Sequence, residues 1–267
     1  MKKLHNYNNI IKDIKYKGFS LIKNFIPKTE CTDAIKKLEY IFNSRKNSAE
    51  FIGNNDNQVL YNYFIEDHTL LKFVYNENIF QIISILLDGD HVLTSTSARN
   101  KRIINEIDKT EKTSGIGWHT DTRYVFQNKT AIKPSLSYIV IYLLEDFSKT
   151  NGATRYVPFS HKKKNRPTRD KLYKSEFFLG SQGDAIILDT ALFHKAGNSS
   201  HKSRWSIFSM YSSWFIKPYF QFNRMFKKNE IKEFNPKLKQ LLHYDSMPPK
   251  DHKKSRATLK RVKKSNI

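Results

Sequence analysis

Apolar positions change period once along this chain. Up to about residue 88 they recur at helical spacing; beyond it they gather into short runs divided by turn residues. Residues 19–25 read as a short strand that turns at Pro27. Ala34, Ile35, Leu38 and Ile41 then share one stripe of a helix that Thr29 can cap. A second helix is expected over 68–87, with Gly89 just past its end, where a left-handed cap is usual. Strands are expected at 91–97, 136–144, 154–158, 185–188 and 204–215, with turn signals such as 113–117, 150–152, 183–184 and 197–200 between them. Many short strands after two helices predict a mainly β domain, a sandwich or barrel with a helical buttress. No internal repeat and no Gly- or Pro-rich linker interrupts it. The economical organisation is one domain over 1–226, with helices at about 28–88 and a β core at about 91–216, then a basic segment at 227–267.

Composition sharpens this picture in two places. An aromatic share of 13%, with 19 Phe and 14 Tyr, supplies a large core and excludes a disordered chain. The second place is charge: 47 Lys and Arg stand against 25 Asp and Glu. Such an excess attracts nucleic acid, anionic lipid or acidic substrates. It equally reflects a coding bias that also enriches Asn and Ile, and part of it is local. Residues 227–267 carry 13 Lys or Arg against 4 Asp or Glu and end in a polar run with little to bury, which reads as a solvated tail. No apolar run approaches the roughly 20 residues of a membrane span. One cysteine, Cys31, allows no internal disulfide. With no secretory h-region after the opening lysines, a cytoplasmic protein is expected.

Chemistry concentrates in two segments. In GIGWHTD, His119 and Asp121 lie two residues apart, so an extended backbone projects both from one face. After roughly 75 residues, GDAIILDTALFHKAGN presents His194, and Arg204 follows ten residues later with Ser206 on the same strand face. Taken singly, each has an ordinary reading: a surface His-x-Asp pair, a satisfied core histidine, a surface cation. Their joint order is more informative. Two imidazoles and one carboxylate on one face of an iron(II) leave three coordination positions open, the donor set of the non-haem oxygenases. Two open positions suit chelation by a 2-oxo acid and the third suits O2. Arg204 is a planar, permanently charged fork for a distal carboxylate, and Ser206 a hydroxyl beside it.

At this point the sequence resembles the phytanoyl-CoA dioxygenase-like family. The resemblance runs from GFSLIKNFIPKTEC through WHTD and NGATRYVPFSH to GDAIILDTALFHKAGNSS and Arg204. It implies a double-stranded β-helix (jelly-roll, cupin-like) core, iron(II), and 2-oxoglutarate and O2 as cosubstrates. Hydroxylation of a small or carrier-linked substrate would release succinate and CO2. It carries over His119, Asp121 and His194 as iron ligands and Arg204 as the anchor of the distal carboxylate. Polar positions before the His-x-Asp motif, mapped to Thr96 and Asn100, are expected to assist the cosubstrate. Asp121 favours hydroxylation over halogenation, since halogenating members carry a small residue there. The sequence departs from the family at Phe159, where PFSH replaces the usual PGSH, and His161 beside it reads as a structural turn residue.

Trp118, Arg123 and Tyr124 flank the metal motif and are expected to line the substrate pocket. The basic loop at 162–171 favours an anionic substrate if it faces the mouth, although a solvated loop is an equally ordinary reading. Two other functions fit parts of the sequence. The charge suits a nucleic-acid demethylase on a similar metal core, but no aromatic-basic stripe is visible along the chain. A non-catalytic jelly-roll binder would not need all four of His119, Asp121, His194 and Arg204. Oligomeric state leaves no mark in the sequence.

Overall fold

The computed structural model describes residues 7–45, 52–54, 57–101, 117–122, 130–199 and 202–244. It opens with a helix that the sequence pattern did not announce, α1 (Asn8–Lys17), which buries Ile11 and Ile14. Gly18 ends it at φ 94°, and a Cβ there would stand 2.7 Å from the His161 ring. That glycine turns the chain directly into β1 (Phe19–Ile22). Helix α2 (Lys28–Arg45) follows, with Cys31, Ala34, Leu38 and Ile41 buried. A hairpin of β2 (Ile52–Asn54) and β3 (Asn57–Tyr61) was likewise not expected.

The expected helix over 68–87 divides into a 3-10 segment, His68–Phe73, and α3 (Glu77–Leu87). Asn76 causes the break: its backbone is extended, and its side chain accepts hydrogen bonds from the N–H groups of Asn78 and Ile79. An Asn so placed satisfies the first orphan donors of a new helix. Asp88 takes the left-handed position at the far end (φ 53°), and Gly89 donates its N–H to Ser84.

The remaining strands are β4 (His91–Lys101), β5 (Ser137–Leu143), β6 (Arg155–Tyr156), β7 (Glu176–Phe177), β8 (Ala185–Asp189), β9 (His194–Lys195) and β10 (Arg204–Ser213). They form a seven-stranded sheet, β1-β8-β5-β10-β4-β3-β2, and a three-stranded sheet, β7-β6-β9, with every pair antiparallel. This is the expected jelly-roll core. Both faces of the large sheet are covered, so its strands read as apolar runs and not as alternations. Ile139, Ile141, Leu143, Ile186, Leu188 and Met210 fill the space between the sheets. Val140, Tyr142, Ile187, Ile207 and Tyr211 point the other way, into a core shared with the helices.

That division of faces corrects two expectations. Thr96 pairs with Ser209 and belongs to the helix-facing side, where its hydroxyl meets Tyr63 Oη at 3.1 Å and Ser209 Oγ at 3.0 Å. Asn100 lies on the same side and donates to Gln58 Oε1 at 3.0 Å. Successive side chains on a strand alternate, so Ser97, Arg99 and Lys101 are the residues of β4 that face the interior of the jelly roll. The C-terminal boundary also moves. Helices α4 (Lys228–Glu233) and α5 (Pro236–Leu241) pack Leu238, Leu241 and Leu242 into the helix-side core, so the domain extends to residue 244, beyond the boundary at 226. The polar tail past residue 250 lies outside the described residues, as do Arg123 and Tyr124.

Thr96→Val keeps the shape of the side chain and leaves the buried Tyr63 hydroxyl without this partner. Thermal unfolding should show a loss of about 1–3 kcal/mol. Affinity for a 2-oxo acid should stay at the parent value; a fall would return Thr96 to the site.

Candidate metal centre

His119 and His194 sit opposite each other on two short extended segments. Each donates its backbone N–H to the carbonyl of the other at 3.0 Å, so neither imidazole can move without its partner's backbone. The imidazole rings come together at 4.2 Å between centroids. Asp121 is fixed from the same side: Thr190 O accepts the N–H groups of both Asp121 and Thr122, at 2.9 and 3.1 Å. Thr190 is in turn held by Ser137, through hydrogen bonds of 2.8 and 3.0 Å. Asp189 braces the adjoining turn by accepting from Ser135 Oγ and the Ala191 N–H. Ser160, from the PFSH segment, donates to Val157 O and accepts from the Phe193 N–H at 2.8 Å, which fixes the backbone just before His194. Sequence reasoning missed these bracing roles, because a serine or threonine advertises no partner until the chain folds.

Side-chain chemistry then narrows what the cluster can hold. His119 Nδ1 lies 2.9 Å from Gly117 O, and His194 Nδ1 lies 2.8 Å from Leu192 O. A carbonyl can only accept, so each Nδ1 carries the proton and each Nε2 is left with its lone pair free for a metal. His194 Nε2 is 3.2 Å from Asp121 Oδ2. One donor atom from each of His119, Asp121 and His194 lies within 4.8 Å of the others, so a single ion can meet all three. Burial, followed by the charge of His194, pushes His119 down to about 4. Burial would raise Asp121, but the hydrogen bond and charge of His194 win and hold it at about 2. Burial would lower His194, and here the hydrogen bond to Asp121 outweighs it and raises the imidazole above its ordinary value. Of the two imidazoles, His194 is thus the one that holds a second proton more readily, and His119 the one that holds it less.

Arg204 opens β10 and is 5% exposed. Its Nε donates to Asn151 O at 3.0 Å and its Nη2 to Gly152 O, so the Asn-Gly turn clamps one edge of the guanidinium. Nη1 points along the strand to Ser206 Oγ at 3.2 Å, and the plane lies over the Phe147 ring at 3.6 Å. Burial pulls its pKa down to about 9, so it remains cationic at neutral pH. Among the described residues no carboxylate lies within ion-pair reach of it. Arg204 and Ser206 are thus together in the interior, as the spacing suggested.

Trp118 is a correction. It precedes His119 on an extended segment and so faces the opposite way, where it is 5% exposed among Val157, Phe193 and Tyr173. Its backbone N–H donates to Arg169 O at 3.0 Å, which ties the basic loop to the segment before His119. His161 is a structural residue: it sits in a 3-10 turn and its Nε2 meets Lys15 O at 3.3 Å. Phe159, two residues before it, holds φ 58°, a left-handed backbone that explains the glycine usual at this position. Arg99, which the sequence did not single out, is half-buried on the interior face of β4 beside Ser206. Strand parity was the available signal: counting from Arg99 selects the interior positions, whereas Thr96 and Asn100 have the other parity.

A dioxygenase of Penicillium canescens, olcK, is 34% identical over 110 residues, 39% of this chain and 35% of that protein. The match thus spans about a third of the relative's length. Among solved structures, the epimerase SnoN in complex with Fe3+, alpha ketoglutarate and nogalamycin RO superposes with a TM-score of 0.62 at 13% identity, over 79% of this chain and 86% of that one. HygX from Streptomyces hygroscopicus, with nickel and 2-oxoglutarate bound, gives 0.63 at 13%, over 79% and 89%. The carbocyclase SnoK from nogalamycin biosynthesis gives 0.62 at 15%, over 87% and 92%. At these identities the structures establish the fold. Residues 14–206, most of the described jelly roll with its two histidines, aspartate and arginine, match one family, and the chain belongs to it: the phytanoyl-CoA dioxygenase (PhyH) family.

Proposed function

We propose that this protein is a non-haem iron(II), 2-oxoglutarate-dependent dioxygenase that oxidises a C–H bond of a small organic molecule. One observation carries the reading. Two imidazoles whose Nδ1 protons are committed to backbone carbonyls present their Nε2 atoms to the same point as the Asp121 carboxylate. That donor set fits a divalent first-row ion with open positions. His119, Asp121 and His194 would hold iron(II), which with 2-oxoglutarate and O2 bound would supply the oxidising power, with succinate and CO2 as coproducts. SnoN and HygX, which share the fold, are described with alpha ketoglutarate or 2-oxoglutarate and a metal bound.

The remaining work falls to the chain's own groups. Arg204 and Ser206 bind and orient the distal carboxylate. The clamp from Asn151 and Gly152 fixes the fork before the ligand arrives, so little side-chain entropy is lost on binding. Phe147 and the apolar interior between the sheets exclude water from that end of the site. When His194 is protonated its Nε2–H donates to Asp121, and that proton competes with a metal for the same nitrogen. The substrate is small and organic; the surplus of positive charge favours an anionic one.

Anaerobic reconstitution with iron(II), then measurement of succinate released with a panel of candidate substrates, tests the assignment. Substrate-stimulated succinate formation is expected; no 2-oxoglutarate binding to the metal-loaded protein would remove the reading. Asp121→Ala should weaken metal binding by more than about 100-fold, since loss of even an outer-shell partner of a ligand commonly costs about 10–100-fold. Nearly all turnover should go with it, without gain of halogenation; parent-like metal affinity would show that Asp121 is not a ligand. Arg204→Lys should weaken 2-oxoglutarate by about 10–100-fold, because a point charge cannot replace the clamped fork.

Metal affinity should also depend on pH in a particular direction. His119, pushed down to about 4, and Asp121, held at about 2, are already in their binding forms at neutral pH. His194 is the group raised, so its proton competes as pH falls through its elevated pKa. Calorimetry in buffers of different ionisation enthalpy should detect about one proton released per metal below that pKa, and none well above it.

A further inference from the structure

The positive surplus of this chain is not spread evenly over its surface. Residues 162–174, which lead from the 3-10 turn at Ser160–Lys162 towards β7, carry seven Lys or Arg and one acidic residue, Asp170. Elsewhere lysines find carboxylates: Lys37 meets Asp33 and Asp67, Lys72 meets Glu30, and Lys237 meets Glu77. Here they do not. Among the described residues, Lys12, Lys15, Lys162, Lys163 and Lys171 form no ion pair. Unpaired like charges on one face repel one another, and an approaching anionic surface relieves that repulsion.

Large apolar side chains protrude from the same face. Tyr16 on α1 is 63% exposed, Phe159 46% and Leu172 97%. Contacts join them into one patch. Tyr16 and Phe159 meet edge-on at 5.5 Å, and Lys162 Nζ lies 4.7 and 5.6 Å from the two rings. Lys163 and Lys171 both lie over the Tyr173 ring, at 5.8 and 5.6 Å, and Leu172 is the residue between Lys171 and Tyr173. Beside Tyr16 the surface dips into a groove of about 600 Å³, with Ile11 and Ile85 in its wall and Lys12, Lys15 and Lys162 around it. Tyr173 packs on Trp118 and Phe193, which turn away from His119 and His194, so the patch lies on the outside of the small sheet.

The mixture selects the partner. A nucleic acid would satisfy the lysines, but the rings its bases could stack on, Tyr16, Phe159 and Tyr173, each already carry a lysine, and Leu172 would stay in water. A bilayer with anionic headgroups answers both halves, phosphates for the lysines and the acyl boundary for the leucine and the rings. We propose that this face is a peripheral membrane-docking surface. Tyr16, Phe159 and Leu172 enter the interfacial layer of an anionic bilayer, the surrounding lysines hold its phosphates, and the groove beside Tyr16 seats one headgroup. Attachment is reversible, since among the described residues no helix is long and apolar enough to cross a membrane. It does not depend on the chemistry at the metal centre.

Flotation of the full chain with vesicles of phosphatidylcholine, alone or mixed with phosphatidylserine, tests the proposal. The parent is expected to bind the mixed vesicles, less as salt rises, and not the neutral ones. Lys12→Glu with Lys15→Glu and Lys162→Glu should weaken that binding by about 100-fold or more. Leu172→Ser should weaken it by about 10-fold, and its exposure makes it harmless to the fold, which melting curves check for every variant. A charge-matched control reverses Lys253, Lys254 and Lys260 to Glu and should cost far less. Because Cys31 is buried and is the one native cysteine, Leu172→Cys can carry an environment-sensitive dye, whose emission should shift to the blue on the mixed vesicles. A parent that ignores both vesicles overturns the proposal. So does an equal loss from the control, or a dye that stays in water. Tighter binding of a single-stranded oligonucleotide, lost with the three α1 and loop lysines but kept by Leu172→Ser, also overturns it and makes the face a nucleic-acid site.

Discussion

The site depends on a pair of reciprocal backbone hydrogen bonds between His119 and His194, two residues 75 positions apart in the chain. Short segments of this kind have little intrinsic order. Once joined, their side-chain faces are set by the pleat, and both imidazoles fall on the same side. Thr190 extends the arrangement to Asp121 by accepting two N–H groups, and Ser160 extends it backward through Phe193. The three donor side chains are thus positioned by main chain, while the surrounding serines and threonines fix that main chain in turn. A centre built this way is formed before any ion arrives.

The same reliance on backbone appears at the other end of the interior. Arg204 is oriented by the carbonyls of Asn151 and Gly152, not by an acidic side chain. An acidic partner would have neutralised the guanidinium and competed with a ligand carboxylate for the same fork. Two carbonyls fix its plane and leave its charge available. Burial over Phe147 raises the electrostatic value of that charge, because little water remains to screen it.

Much of this was legible in the sequence, and what was not follows a physical rule. His119 with Asp121, and Arg204 with Ser206, were readable as pairs because i and i+2 on a strand share a face, and His194 joined them only through the order of the motifs along the chain. Thr96 and Asn100 failed by one residue of parity: the sequence located β4, but polar residues on both faces gave no hydrophobic alternation to say which set turned inward. Arg99 had the right parity and was overlooked for the same reason. The break at Asn76 was readable as a helix cap, but the continuous apolar stripe on both sides of it obscured the signal. Helix α1 and the packing of α5 rest on a few buried aliphatics among many lysines, a pattern that composition alone assigns to solvent. Trp118 was placed beside the metal by its neighbour in sequence, and alternation puts it behind.

Phe159 carries a consequence for how this chain can change. A phenylalanine in left-handed backbone is strained by roughly 1–2 kcal/mol relative to glycine. Its ring is not idle, since it meets Tyr16 edge-on at 5.5 Å and lies 5.6 Å from Lys162 Nζ. It therefore fastens α1 to the turn whose serine, Ser160, braces His194. Relief of the strain and loss of that fastening are of similar size. A lineage can drift between the two residues here at nearly constant stability, while changing how firmly the N-terminal helix is tied to the strand that carries His194.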